Sequence, residues 1–374
     1  MTHEKPVLEI VEREISDIKP FKPERIIFCS TPMACKVASE AFRGLPDTPF
    51  LITPVNTDID RDIYEDFEYF DVQNIEHEEV LLWMNVNQGP LKPISDMLDG
   101  WMTKRTRIFY VLASLESSFE EAILYQALSF LKQTRADLMR VLIVLLPSSV
   151  ESVSLLFNAY TWMLRVLGDK LADMVLLFER EKVENYEAIS IHGEPLKGLV
   201  ALSYALRAMV ERDSGLLAYF KSTAKLDVNV HAPLLSLGHN LAIYGDFQNV
   251  LTASTLRPLI NFDASSAKTM YMIPEIPGNL KRKLTAKKLR GELSKWIKKM
   301  DVSPLFWDIS DPIVKDVETT RISTVSALGG IDLKSPLSYV REGYAEFKEI
   351  ALTKKMIDED SLESIQKLEK EVIG

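Results

Sequence analysis

The stretch YVLASLESSFEEAILYQALSFL, residues 110–131, combines an apolar strand, a short turn and an amphipathic helix. A strand that feeds a helix in this way is typical of proteins that hold a phosphate on the free N–H groups of a helix N-terminus. Such turns favour glycine, because the backbone must come close to the anion. This turn has no glycine and carries Glu116, Glu120 and Glu121 instead. The pattern predicts a phosphate-cradle architecture whose cradle is filled by acidic side chains.

Composition indicates a globular protein of about two domains. The chain has 374 residues, of which 47% are hydrophobic and 26% are charged, and domains usually hold ~100–200 residues. A formal net charge of −10 argues against general affinity for nucleic acids, whose phosphates require basic surfaces. No apolar run approaches the ~18 residues of a membrane span, and the acidic start does not resemble a signal peptide. We therefore expect a cytoplasmic protein.

Metal-ligating residues are sparse. Cys29 and Cys35 are the two cysteines, and with no histidine near them they are expected to be buried free thiols. The five histidines show no i, i+4 pairing, so no metal site is predicted.

Strands and helices alternate through the first half of the chain. Nearly continuous apolar runs predict strands, and longer segments with helical periodicity predict helices between them. This order is typical of a parallel sheet covered on both faces. The predicted strands are 25–29, 49–55, 79–85, 107–114, 140–147 and 173–179, and the predicted helices are 5–18, 30–42, 91–104, 117–134 and 149–168.

The second half does not continue the regular alternation of strands and helices. Its pattern predicts a smaller α+β domain after a long linking helix. The segment 195–220 is apolar on more than one face, as expected of a helix buried between two domains. Further predicted elements are helices at 231–245 and 284–300, strands at 268–274, 304–310 and 320–329, and a helical end from Pro336. The predicted division is an N-terminal helical extension (1–20), a Rossmann-like α/β domain (21–190), a central helix (191–222), an α+β domain (223–334) and a helical tail (335–374).

Four segments in this order resemble the FtsZ/tubulin superfamily. IIFCSTPMACKVASEAFRG (26–44) followed by PFLITPVNTD (49–58) resembles the opening of FtsZ, where a glycine loop starts the first helix and the second strand ends in Val-Asn-Thr-Asp. KLDVNVHAPLLSLGHNLAIYG (225–245) is similar to the loop and helix after the central helix, and TTRISTVSALGGID (319–332) to the closing strand. The resemblance covers residues 21–333 and implies that fold.

The resemblance also implies where a nucleotide would bind, and the sequence departs from the family at those positions. The two glycine-rich loops of the GTPases correspond to Cys29–Ala34 and Leu115–Glu120, and neither contains glycine. Each like-charge contact between a carboxylate and a phosphate costs on the order of 3–4 kcal/mol before screening. The same acids stabilise the start of their own helix. The matched positions are Ser30, Thr31, Asn56, Asp58, Glu116, Ser117 and Ser118.

Two of these positions, Asn56 and Asp58, are the strongest remnants of the family pattern. They could retain a nucleotide or metal contact, or they could cap local backbone groups.

The hydrolytic loop that follows the central helix in the family is altered as well. Its acidic residues act on the nucleotide of the neighbouring subunit, and the positions matched here are Asp227, Asn229 and Ala232. An amide and a methyl group cannot act as general bases, so no catalytic residue is expected.

The segment Lys281–Met300 contains nine Lys or Arg residues and one Glu. A basic amphipathic helix can lie on an anionic membrane or bind an acidic partner. It can equally pack on its own sheet with a solvated basic face.

Three functional hypotheses follow. The first is a divergent FtsZ/tubulin-like protein, archaeal or bacterial, that has lost GTP binding and acts in the cytoskeleton or in cell division, by self-association or by binding an active FtsZ/tubulin homologue; it needs no cofactor. The second is a GTPase that uses Mg²⁺ and an unusual pocket with Asn56, Asp58, Ser117 and Ser118. The third is a pocket recruited for another small ligand.

Overall fold

The computed structural model describes residues 24–44, 50–55, 67–71, 92–211, 215–241, 247–300 and 304–374. The predicted helix 5–18, the extension 1–20 and the predicted strand 79–85 fall outside these ranges, as do Asn56 and Asp58. Those predictions stay untested.

One large sheet organises the described part of the chain. Its order is β11-β10-β13-β9-β6-β5-β4-β1-β2-β3, with β12 paired to β10, while β7 and β8 form a separate hairpin. The strands are β1 (Arg25–Cys29), β2 (Phe50–Val55), β3 (Phe67–Asp71), β4 (Ile108–Ala113), β5 (Met139–Leu146), β6 (Met174–Glu179), β7 (Glu187–Ile189), β8 (Pro195–Lys197), β9 (Val230–Asn240), β10 (Thr269–Pro277), β11 (Phe306–Ile309), β12 (Ile313–Lys315) and β13 (Arg321–Gly329).

Helices cover both faces of this sheet. They are α1 (Pro32–Phe42), α2 (Lys92–Trp101), α3 (Ser118–Thr134), α4 (Val153–Gly168), α5 (Arg180–Glu184), α6 (Leu199–Val210), α7 (Leu216–Ala224), α8 (Phe247–Leu256), α9 (Ala286–Lys299), α10 (Ser338–Thr353) and α11 (Glu359–Val372). Helices α1, α6 and α7 pack on one face, and α2 to α4 with α8 to α11 pack on the other. Successive strand residues alternate between the two cores, so that Ile26 and Phe28 face one side while Ile27 and Cys29 face the other.

The sheet is parallel from β3 to β9 and mixed beyond it. Strands β3, β2, β1, β4, β5 and β6 pair in parallel, as predicted. Strand β9 joins β6 in parallel through the pairs Val175–Val230 and Leu176–His231. Strand β13 then runs antiparallel to both β9 and β10. The two predicted parts therefore share one continuous sheet through a short junction.

The prediction of one long helix over 195–220, placed at 191–222 as a central element, is wrong. Residues 195–197 form β8, and two helices follow, α6 and α7. Each helix starts at a glycine with a left-handed backbone, Gly198 (φ 54) and Gly215 (φ 69), which other residues adopt at a cost. Because the whole segment is apolar, its composition did not distinguish the strand and the two helices from one continuous helix.

The predicted helix 231–245 is also wrong, because residues 230–240 form β9. Pro233 would remove a hydrogen bond from a helix interior and clash with the preceding turn. As a strand, the segment pairs with β13 over most of its length and is buried on both faces up to Gly238. A continuous apolar run cannot by itself distinguish a buried helix from a buried strand.

The two C-terminal helices pack on the same chain, against α4. Phe157 of α4 stacks on Tyr344 of α10 with ring centroids 5.4 Å apart. Phe347 of α10 packs edge-on against the Phe157 ring, also with centroids 5.4 Å apart. Tyr160 donates to Glu369 of α11 at 2.9 Å. The helical tail is thus part of the core of the parallel half.

Within the described ranges, none of the helices has the length and apolar character needed to cross a membrane.

Close packing of α10 on α4 predicts a position-specific effect of adding one methyl group. A Cβ atom on Gly343 would lie 2.4 Å from Leu156 Cβ. We expect Gly343→Ala to lower the free energy of unfolding by about 1–2 kcal/mol, since overpacking outweighs the gain in helix propensity. Urea unfolding followed by circular dichroism measures the change.

Gly291 of α9 is the matched control for Gly343. It also lies inside a helix, and a Cβ atom there would meet nothing within 4 Å. Gly291→Ala should raise the free energy of unfolding by about 0.5–1 kcal/mol through helix propensity alone. Equal effects of the two substitutions would contradict the tight α4–α10 contact.

Candidate functional site

The candidate site lies at the carboxyl ends of the parallel strands, where ligands bind in open α/β sheets. Strand β1 ends at Cys29 and is followed by Ser30 and Thr31, while β4 ends at Ala113 and is followed by the turn 114–117. Because β1 and β4 are neighbours in the sheet, the two loops meet. These are the loops that the sequence places at the phosphates of a nucleotide.

The Glu120 carboxylate occupies the centre of the site. It accepts hydrogen bonds from the backbone N–H of Ser114 at 3.0 Å and of Glu116 at 2.9 Å. The Ser30 hydroxyl donates to the same carboxylate. Glu120 is 1% exposed. An internal anion therefore takes the donors that a phosphate would need in this cradle.

The backbone of Leu115 creates the cradle. Leu115 has φ 47, a left-handed conformation that bulky residues rarely adopt. A left-handed residue between two others turns successive N–H groups toward one point and so forms an anion-binding concavity. The strain, of order 1–3 kcal/mol, is offset by complete burial of the Leu115 side chain in the core. A leucine thus stands in a conformation that favours glycine.

Ser117 and Glu120 also form a helix cap, which the sequence analysis did not recognise. The Ser117 side chain accepts from the N–H of Glu120 at 3.2 Å, and the Glu120 side chain reaches back to the N–H of Glu116. The signal was present as Ser-x-x-Glu, the pattern of a capping box. Here the returning carboxylate binds one residue before the cap, at the turn itself.

A second contact ties the two loops together. Thr31 and Ser114 share a hydrogen bond of 2.5 Å between their hydroxyl groups. Thr31 also caps α1 by accepting from the N–H of Ala34 at 3.2 Å, and Pro32 occupies the first turn. The polar groups of the first loop are therefore used inside the protein.

Burial dominates the electrostatics of the acids. Desolvation raises the pKa of Glu120 to about 7, although its hydrogen bonds with Ser30, Glu116 and Ser114 favour the ionised form. Desolvation also raises the pKa of Glu121 well above its usual value, with the nearby Glu120 adding to the effect. Among the described residues, neither oxygen of the Glu121 side chain has a hydrogen-bond partner.

Arg180 bridges acids at the mouth of the site. Its guanidinium lies 3.4 Å from Glu116, 3.7 Å from Glu151 and 2.8 Å from Glu184. Arg180 directly follows β6. The mouth therefore holds one guanidinium among three carboxylates, a poor environment for a polyphosphate.

The described residues around Glu120 leave the cradle donors unavailable to the phosphate chain of GTP. The two amides at Ser114 and Glu116 are bonded to Glu120, the side chain of Leu115 is packed in the core, and Pro32 has no N–H to donate. An incoming phosphate would have to displace an internal carboxylate whose partners are already satisfied.

The structure brings together five of the predicted nucleotide-site residues. Ser30, Thr31, Glu116, Ser117 and Ser118 all lie around Glu120 or at the first turn of its helix. Asn56 and Asp58 lie outside the described residues. Sequence reasoning singled out Glu120 for its charge but missed that it binds the turn.

The three residues of the predicted hydrolytic loop lie elsewhere than predicted. Asp227 and Asn229 belong to the connection between α7 and β9, and Ala232 is buried inside β9. Asp227 forms an exposed ion pair with Lys170 at 2.8 Å. Helix α6 ends earlier, at Val210, and Glu211 after it pairs with Lys315 at 3.0 Å.

The basic segment Lys281–Met300 packs on its own protein. In α9, Leu289, Leu293, Trp296 and Ile297 are buried, and the Trp296 indole donates to Thr252 at 3.1 Å. A helix that inserts into a membrane surface needs its apolar face free, whereas here the core uses that face. The cations remain on the outer side.

Cys29 and Cys35 are buried thiols that form no disulfide within the described residues, in agreement with the sequence analysis. Across the ranges that the structure covers, no group of three or more His, Cys, Asp or Glu side chains is placed to hold a metal ion.

Glu121 gives a testable pH dependence of stability. A buried carboxyl group with a raised pKa binds a proton more tightly in the folded state than in the unfolded state. Its contribution to the free energy of unfolding is therefore complete below the pKa of the unfolded state, and it is lost as the pH rises through the pKa of the folded state. We expect Glu121→Gln to remove one such group and flatten the fall in unfolding free energy between pH 5 and pH 8. The change is up to about 1.4 kcal/mol per pH unit.

Urea unfolding at several pH values measures this slope. Glu120 titrates in the same direction, so part of the slope should persist in the variant up to about pH 7. Glu349→Gln, at an exposed position of α10, is the control. A slope that Glu121→Gln leaves unchanged would show that Glu121 is ionised in the folded protein.

Comparison with known proteins places the fold. No protein-family model matches the chain, and no curated protein matches it in sequence. Among solved structures, CetZ from Methanosaeta thermophila is similar with a TM-score of 0.63 and 13% identity, over 92% of this chain and 98% of that one. CetZ2 from Haloferax volcanii, solved as a GTPγS-bound protofilament, has a TM-score of 0.62 and 15% identity, over 87% of this chain and 99% of that one. The chain therefore has the fold of these CetZ proteins, which is the FtsZ/tubulin-like fold that the resemblance implies.

Proposed function

We propose that this protein is an FtsZ/tubulin-like cytoskeletal protein that binds no GTP and acts in the cytoplasm through self-association or contact with a homologue. The observation that carries the proposal is the Glu120 carboxylate, held by the amides of Ser114 and Glu116 and by the Ser30 hydroxyl. These donors form the cradle that a nucleotide phosphate would require.

Energetics support the loss of binding. A phosphate chain at this edge would meet Glu116, Glu151 and Glu184, with Arg180 as their shared counter-charge. Each like-charge contact costs on the order of 3–4 kcal/mol before screening, while micromolar binding supplies about 8 kcal/mol in total. A few such contacts therefore remove micromolar affinity.

The proposed loss of GTP hydrolysis follows from this loss of binding. The altered residues Asp227, Asn229 and Ala232 no longer support it, because they follow α7 and not α6. Residues 212–214, between α6 and α7, lie outside the described residues.

Self-association is supported by fold and charge. One structural neighbour was solved as a protofilament, and the basic outer side of α9 stands on a chain whose net charge is −10. Lys287, Lys298 and Lys299 are exposed on that side. Opposite charges on two surfaces of one protein favour association between copies, weakened by salt.

Calorimetric titration of the nucleotide-stripped protein with GTP and Mg²⁺ tests the proposed absence of GTP binding. We expect no saturable heat up to millimolar GTP, because the cradle donors are already bonded. A micromolar dissociation constant would overturn the proposal and favour an active GTPase with an unusual pocket.

Glu120→Ala is the matched variant for that titration. It removes the carboxylate from the two amides while leaving the Leu115 turn in place. If Glu120 is the block, inorganic phosphate should bind measurably to this variant and not to the wild-type protein. Circular dichroism confirms that the variant is folded.

Sedimentation and light scattering without nucleotide test the proposed self-association. We expect concentration-dependent association at low salt that weakens as ionic strength rises. The variant Lys287→Glu/Lys298→Glu/Lys299→Glu should remove it, because it reverses the charge of the basic side of α9.

A second triple variant controls for net charge. Lys354→Glu/Lys355→Glu/Lys367→Glu changes the charge equally at exposed positions of the C-terminal part. It should leave association in place. Equal loss in both variants would show that total charge, and not α9, governs association.

A further inference from the structure

A cavity of about 310 Å³ lies at the opposite edge of the sheet from Glu120. It is bounded by the amino ends of β1 and β4 and by the junction of α6 and α7. Its size matches small-molecule pockets, which span ~300–1,000 Å³. Nothing in the proposed function uses this cavity.

The cavity has an apolar floor. Helices α6 and α7 and strand β4 supply side chains that are buried or half-buried. They are Ile108, Tyr110, Met209, Leu216, Leu217 and Phe220. A floor of this kind suits the hydrocarbon or aromatic part of a ligand.

Among the described residues, three cations line the cavity, Arg25, Arg107 and Lys221. The acids of the described lining are Glu24, which is exposed on the rim, and Glu211, which is paired with Lys315 at 3.0 Å. Positive charge therefore exceeds negative charge locally, although the whole chain carries −10. The described lining of the cavity is therefore locally positive on an acidic protein.

Arg25 is the deepest of these cations. It is 8% exposed and donates to the carbonyl of Val210, the last residue of α6, at 2.6 Å. Its charge also acts on Tyr110: burial raises the pKa of that phenol to about 12, and Arg25 opposes the shift. A buried guanidinium beside an apolar floor is a typical arrangement for binding a carboxylate or a phosphate.

We propose that this cavity binds a small amphipathic anion, a carboxylate attached to an apolar body. The anionic group lies toward Arg25, Arg107 and Lys221, and the apolar body packs on Leu216, Leu217 and Phe220. The two halves of such a ligand match the two halves of the lining.

The position of the cavity gives the ligand a structural consequence. A bound ligand touches the end of α6 at Val210 and the start of α7 at Leu216. It also touches the first residues of β1 and β4. Occupancy therefore stabilises one arrangement of the two helices relative to the sheet.

Octanoate is the probe, with 1-octanol as its neutral counterpart, and both are titrated calorimetrically into the full-length protein. We expect saturable octanoate binding at one site, and we expect the affinity for octanol to be lower by about tenfold or more. Absence of saturable octanoate binding at millimolar concentration overturns the proposal. Equal affinities for the two compounds overturn its anionic part.

Variants locate the site. Arg107→Gln/Lys221→Gln removes two exposed charges and should weaken octanoate binding about tenfold or more. Leu217→Trp fills the cavity and should abolish binding. Lys225→Gln, one turn beyond Lys221 and outside the lining, should change nothing.

Thermal unfolding establishes that each variant is folded before titration. Octanoate binding that survives Leu217→Trp unchanged would place the ligand elsewhere and overturn the proposal. Because the cavity and the Glu120 cradle lie at opposite edges of the sheet, neither outcome affects the proposed function.

Discussion

The hydrogen bonds from Ser114, Glu116 and Ser30 to the Glu120 carboxylate hold the carboxyl edge of the sheet together. A parallel sheet with helices after its strands places N–H groups at that edge, and the helix dipole makes the position favourable for an anion. Buried amides must be satisfied in some way. An exchangeable ligand can do this, or a fixed side chain can. Here a side chain does, and the two loops close around it.

Placing a carboxylate there has a thermodynamic consequence. Burial disfavours its charge, while three donors favour it, and the balance leaves the pKa of Glu120 at about 7. Burial, and then the nearby Glu120, raise the pKa of the neighbouring Glu121, which lacks such donors among the described residues. Two adjacent acids of one helix turn thus have different roles. The left-handed backbone of Leu115 is tolerated for the same reason, because it aims the amides and its side chain fills the core.

Sequence predicted the parallel half of the fold well and the central segment badly. Strands β1, β4, β5 and β6 are short apolar runs between clear helix signals, so period and length agree. Residues 195–220 and 230–240 are apolar on more than one face, so neither period nor composition separates helix from strand. Pro233 and the two glycines, Gly198 and Gly215, were the local signals against long helices. At the site, the charge of the acidic turn was read correctly, but the path of the Glu120 side chain depends on the backbone angle at Leu115. A leucine at position 115 does not predict that backbone angle.

A fixed internal anion also changes where the protein could be regulated. A ligand shifts a conformational equilibrium only by its different affinity for two states, and Glu120 is part of the chain and cannot exchange. The carboxyl edge therefore cannot report the presence of a nucleotide if the proposed function holds. The amino edge differs, since Arg25 joins β1 to the end of α6 beside an open cavity. There the break between α6 and α7 lies next to groups that an exchangeable anion can reach. Control of assembly would then have moved from one end of the strands to the other.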